Sequence, residues 1–190
     1  MSQTTLEGGF ANAPHDAARA FRACMTAMAR PGRIEAIGGA TPPAPLSPAA
    51  GALLLTLCDA DTPVYLAGEH DRDAVRQWLA FHTGAPLTGN RADAAFAAGT
   101  WAALQPLAGF PVGTARYPDR SATLVVEVDT LTASGARLSG PGIDGHAALN
   151  LPGPAALRAN NALFPQGLDF YFTAGDRLAA LPRSTRVEDA

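Results

Sequence analysis

The sequence predicts an α/β fold, a three-layer α/β/α sandwich around a mixed sheet, from three observations. Strand-patterned and helix-patterned segments alternate along the chain; Leu124-Val125-Val126 is a continuous apolar run, as in a strand covered on both faces; and neither an internal repeat nor a linker interrupts the pattern. The 190 residues are close to the usual size of one domain, so 1–190 reads as a single unit able to bury a core without staples.

The elements follow in order. Over 16–30, Phe21, Met25 and Met28 fall at i, i+4 and i+7, one stripe of a helix that Pro31-Gly32 stops. Residues 33–37 alternate as a short strand, and 41–48 is a proline-rich connector. Ser47 before Pro48 offers an N-cap followed by proline at the first helical position, which predicts a helix over 49–58; a buried strand over 53–58 is the alternative. Residues 64–67 form a strand, and Asp71 is expected to cap a helix with Val75, Trp78, Leu79 and His82 on one face, ended by Gly84. A strand over 94–97, a short helix over 100–107 and the strongest strand, 122–128, come next. A strand over 136–138 runs into Gly140-Pro141-Gly142, Pro154 opens a helix to Leu163, and strands over 168–172 and 178–181 precede a polar tail.

Composition excludes whole classes of chemistry. All 14 positive charges are arginines, and the chain contains no lysine. It therefore lacks the amine that holds pyridoxal phosphate as an imine and the lysine of a Walker A loop. The charged fraction of 16% is low against a typical value of about 25%, which leaves apolar surface suited to a partner interface or reflects alanine-rich composition alone. A net charge of -3, without arginines interleaved with aromatics along a groove, gives no nucleic-acid footprint. The start, MSQTTLEGGF, has no basic segment followed by an apolar one, and no apolar run approaches the ~20 residues of a membrane span, so a cytoplasmic protein is expected. Cys24 and Cys58 sit in apolar segments without a CxxC pair, as buried reduced thiols do.

Several motifs invite chemistry. Asp59-Ala60-Asp61-Thr62, directly after an apolar run, matches a DxDxT phosphatase loop in which the first carboxylate attacks phosphorus and the second acts as general acid on a magnesium site. The later pair of carboxylates is missing, since Gly175-Asp176 offers one; a turn between a helix and a strand uses the same residues. Gly140 to Gly145 is formally G-x-G-x-x-G, but Pro152-Gly153 interrupts the long helix that a dinucleotide site must open, which favours a turn between strands. The four histidines show no metal-ligand spacing, and no metal site is expected. His82, alone on an apolar helical face, is either a core histidine or a functional one. Arg183 and Arg186, flanking Ser184-Thr185, could bind an anion or a partner's carboxylate, or belong to a solvated tail.

Taken together, FRACMTAMARPG (21–32), LLTLCDADTPV (54–64), LAFHTGAPL (79–87), GPGI (140–143), FPQGLD (164–169) and LPRSTRV (181–187) resemble, in order and nearly end to end, the bacterial phosphonate-utilisation PhnH family, the H subunit of the carbon-phosphorus lyase system. The resemblance implies a fold akin to the large domain of pyridoxal-dependent transferases without the cofactor, and a homodimerising accessory subunit that joins the G, I and J subunits. It implies participation, with G, I and an ATPase-like partner, in displacing adenine from ATP by methylphosphonate to give ribose 1-methylphosphonate 5-triphosphate. No catalytic residue and no cofactor carries over. The candidate ligand- or partner-binding residues are Arg183, Arg186, Gly140, Gly142 and His82; the alternative is an independent magnesium phosphohydrolase using Asp59 and Asp61.

Overall fold

Short segments pair as strands, and most of the longer segments form helices. In chain order these are α1 (Ala13–Ala29), β1 (Glu35–Ala36), α2 (Pro48–Leu57), β2 (Val64–Leu66), α3 (Asp73–Thr83), β3 (Leu87–Thr88), β4 (Phe96–Thr100), α4 (Trp101–Leu104), β5 (Thr123–Glu127), β6 (Ala136–Ser139), β7 (Ala147–Leu149), α5 (Pro154–Asn161), β8 (Asp169–Ala174), β9 (Arg177–Leu181) and β10 (Arg186–Glu188). The computed structural model describes residues 6–188. The first five residues of the MSQTTLEGGF segment, the last two of the polar tail and thus both ends of the 1–190 unit lie outside the described residues.

The main sheet has seven strands in the order β1-β9-β8-β5-β4-β2-β3. β9 runs antiparallel to both its neighbours, and every other pairing is parallel, so the α/β fold has the mixed sheet its sequence predicts. The apolar run of β5 is covered on both faces: Val125 belongs to one core, Leu124 and Val126 to the other. The first core packs α1, α2 and α3 against Val64, Ala98, Tyr171, Leu178 and Ala180. The second packs Leu104 of α4, Leu157 of α5 and Leu138, Leu149 and Val187 against Leu124, Phe170 and Phe172. Those last three aliphatic residues come from a separate antiparallel sheet, β10-β6-β7, so strands share the cover of this face with short helices.

Three local expectations are corrected. Phe21 and Met25 do not face the core: they are 50% and 54% exposed, while Ala20, Ala23, Cys24 and Ala27 are buried. Small side chains let α1 lie close to α2 and β9, and Phe21 and Met25 turn outward while Met28, the third member of the stripe, packs half-buried on the first core. Asp71 does not cap α3; Arg72 holds that position without a side-chain bond, and the Asp71 carboxylate instead takes Nε of Arg76. The polar tail is not solvated throughout, because Arg186 to Glu188 pair with β6. Together with β3 and β7 this strand is too short for alternation to be read from sequence.

The alternative strand over 53–58 is replaced by helix. Ser47 Oγ accepts from Ala50 N at 3.1 Å, and residues 49–54 are all buried, an apolar helix wedged between α1 and α3. Gly84 ends α3 in the left-handed region, as its sequence predicts. Both cysteines are free and buried, and desolvation pushes each thiol up to about 12, the environment of inert rather than reactive sulfur. Among the described residues no helix is long and apolar enough to cross a membrane.

Candidate functional site

In open α/β sheets, ligands bind beyond the carboxyl ends of the strands, where successive connections leave for opposite faces. Here β2 leads over the first core through α3, and β4 leads over the second through α4, so the switch falls between β2 and β4. His70 follows β2 at that edge. It is 2% exposed, neither ring nitrogen has a partner among the described residues, and burial, with Arg72 adding to it, lowers its pKa. Both effects disfavour the charged imidazolium, and Glu69 opposes them.

Two strands along, Glu127 ends β5. Its carboxylate accepts from Ser47 N at 2.7 Å and from Thr173 Oγ1 at 3.1 Å, tying the start of α2 to the carboxyl ends of β5 and β8. Burial raises its pKa above the ordinary 4.5, with the Ser47 and Thr173 bonds opposing the rise. The folded protein thus binds this proton more tightly than the unfolded chain. Glu127's contribution to stability is greatest below the ordinary value and is lost as pH rises through the folded one. Glu127→Gln keeps an acceptor but not the titration, so the variant should gain stability relative to the parent as pH rises above the ordinary carboxyl value of 4.5. Urea midpoints over that rise in pH check this; a constant difference would mean that burial does not govern the carboxyl. Beyond β5, a cavity of about 520 Å³ is lined by Val128, Asp129, Thr130, Asn150 and Pro152. Asn150 is held by Thr132 N and Thr130 O, so its amide shapes this wall.

The five sequence-indicated residues fall in two places. Gly140 lies against the 184–186 segment, since a Cβ there would sit 3.2 Å from Ser184 O, and Arg186 pairs with Ser139 next to it. Gly142 closes on the end of α1, its missing Cβ 2.0 Å from Ala29 O. Arg183 is nearby but engaged inward: its guanidinium binds both carboxylate oxygens of Asp169, Ser121 Oγ and Pro118 O. Arg186 is exposed and has no ion pair among the described residues. Thr185, 1% exposed, keeps an unpartnered hydroxyl beside it. His82 stands apart on α3 between Trp78 and Phe81, with its Nε2 buried and unpartnered; it borders a cavity of about 280 Å³ shared with Phe10, Ala17 and Leu55.

The remaining motifs resolve into turns. Asp59 and Asp61 connect α2 to β2, at the amino end of the strand, where Asp59 Oδ1 accepts from Asp61 N at 3.0 Å and from Thr62 Oγ1 at 3.0 Å. That is an Asx turn at the edge opposite the carboxyl ends of the parallel strands, which does not support the phosphohydrolase alternative. Residues 140–145 join the antiparallel strands β6 and β7 and open no helix. Glu127 and His70 escaped the sequence reading, although a lone carboxylate ending an apolar run and a histidine just after a strand were visible signals.

The sequence profile of a family described as "Bacterial phosphonate metabolism protein (PhnH)" matches residues 8–188. A protein of Rhizobium meliloti (strain 1021), named alpha-D-ribose 1-methylphosphonate 5-triphosphate synthase subunit PhnH, is 41% identical over 189 residues, covering 95% of this chain and 94% of its own. An α/β fold whose motifs form turns and whose arginine at 183 is bound internally thus matches along nearly all of the chain, and the chain belongs to the PhnH family of bacterial phosphonate metabolism proteins.

Proposed function

We propose that the protein is the H subunit of a ribose 1-methylphosphonate 5-triphosphate synthase within the carbon-phosphorus lyase machinery of organic phosphonate catabolism. With the G and I subunits and an ATPase-like partner it supports transfer of ribose triphosphate from ATP to methylphosphonate, as an accessory rather than a self-sufficient catalyst. The observation that carries this reading is the 41% identity, along 95% of the chain, to a protein named as that subunit.

Residues 1–190 act as one cytoplasmic unit on a scaffold like the large domain of pyridoxal-dependent transferases; two cores on opposite faces of a mixed sheet support that likeness, and the lack of lysine removes the cofactor's anchor. A homodimer, associated with G, I and J, is supported by Phe21 and Met25 standing outward on α1. Any phosphorylated ligand would meet Arg186 and the loop of Gly140 and Gly142; Arg183 positions that segment, and His82 serves a separate surface. Co-expression with G and I tests the reading: the chain should co-purify with them, and by itself sediment as a dimer. A stable monomer that ignores both subunits would sink it.

A further inference from the structure

The loop over 112–121 and the turn after α5 form one surface. Val112 and Ser121 bridge the base of the loop, and Thr114 and Tyr117 exchange backbone bonds of 3.0 and 3.1 Å at its tip. Gln166 Nε2 donates to Gly113 O at 2.8 Å and Gly167 N to Val112 O at 2.9 Å, joining the loop to the 163–167 turn. From inside, the Arg183 guanidinium holds Pro118 O.

On this frame the ring of Tyr117 holds two cations over it, with the guanidinium carbon of Arg120 4.3 Å and that of Arg116 5.3 Å from its centroid. Neither guanidinium has an ion pair or hydrogen bond among the described residues, although Arg120 N donates to Tyr117 O at 3.2 Å. On the turn joined to this loop, Leu163 and Phe164 are 48% and 59% exposed. Leu163, next to Phe164 in the chain, lines an apolar groove of about 380 Å³ with Leu107, Val112, Ala156 and Ala159. Gln105 also lines it, with a buried Nε2 that has no acceptor. Stacked arginines, aromatics and a groove holding one orphan donor have the make-up of an interface centre.

We propose that this surface docks an acidic segment of another synthase subunit, and the proposal rests on the synthase reading above. Carboxylates of that segment meet Arg116 and Arg120, an apolar side chain enters the groove, and a main-chain carbonyl accepts from Gln105. Charge decides against a second copy of this chain, because a two-fold contact would set Arg116 and Arg120 against themselves with Asp119 the loop's one counter-charge. The stacking on Tyr117 fixes the guanidiniums before binding, which lowers the entropy lost on contact.

The test uses the full-length chain and purified G and I subunits, with affinity measured by calorimetry. Both Arg116→Glu/Arg120→Glu and Phe164→Ser should weaken binding by at least about tenfold, and binding by the unchanged chain should weaken as salt is raised. These side chains are exposed, so circular dichroism should show both variants folded. If both bind as tightly as the parent, the surface proposal fails and the synthase reading stands. If they lose self-association while keeping G and I, the occupant is a second copy and the proposal is wrong. If the unchanged chain binds neither subunit, the synthase reading fails and this proposal with it.

Discussion

Arg183→Met should lower the free energy of unfolding by about 3–5 kcal/mol, the range for breaking a buried ion pair from one side. The guanidinium and Asp169 are 15% and 21% exposed at their side chains, and Asp169 also accepts from Arg183 N at 2.8 Å. Removing the cation leaves a carboxylate with a backbone bond and no counter-charge, and also frees Ser121 Oγ and Pro118 O, which hold the start of β5 and the 112–121 loop. Because the penalty comes from the stranded charge, Arg183→Met/Asp169→Leu should recover a large part of it. Urea unfolding of the two single variants and the double variant measures the coupling. An Arg183→Met protein as stable as the parent would return this arginine to ligand binding.

Gly142→Ala should cost about 2–5 kcal/mol, from two sources that a control separates. Gly142 has φ +80, where an alanine is strained, and its Cβ would lie 2.0 Å from the Ala29 carbonyl oxygen and 3.3 Å from Pro31 Cδ. The end of α1 must therefore shift, although that helix is fixed by its packing on α2 and β9. Gly145 has φ +69 with nothing within 4 Å of the added atom, so Gly145→Ala should show the conformational strain alone, about 1 kcal/mol. Thermal unfolding of the pair measures this, and equal losses would mean that the contact with α1 yields freely.

Elements with a strong physical signature were legible in the sequence. The Ser47-Pro48 start of α2, the Gly84 end of α3 and the doubly covered β5 are each fixed by local chemistry, a cap, a left-handed turn or a continuous apolar run. What failed depends on partners distant in the chain. The side of α1 that faces inward is decided by how closely α2 and β9 approach, which favours alanine over phenylalanine. β10 exists because Arg186, Val187 and Glu188 find Ser139, Leu138 and Arg137. In the same way Arg183 reads as a free cation beside Ser184 until Asp169 and Ser121 are brought to it, and Glu127 reads as a strand residue until Ser47 arrives from 80 residues away.

The seam between β1 and β9 joins Glu35 to Leu178, strands far apart in the sequence. A ribosome synthesising this protein releases α1 and β1 long before the strand that completes their edge, so the first helix has no sheet to rest on while most of the polypeptide is made. Completion therefore waits for the hairpin of β8 and β9. Nascent chains arrested before Arg177 should remain sensitive to protease within α1, and chains released after the final hairpin should not.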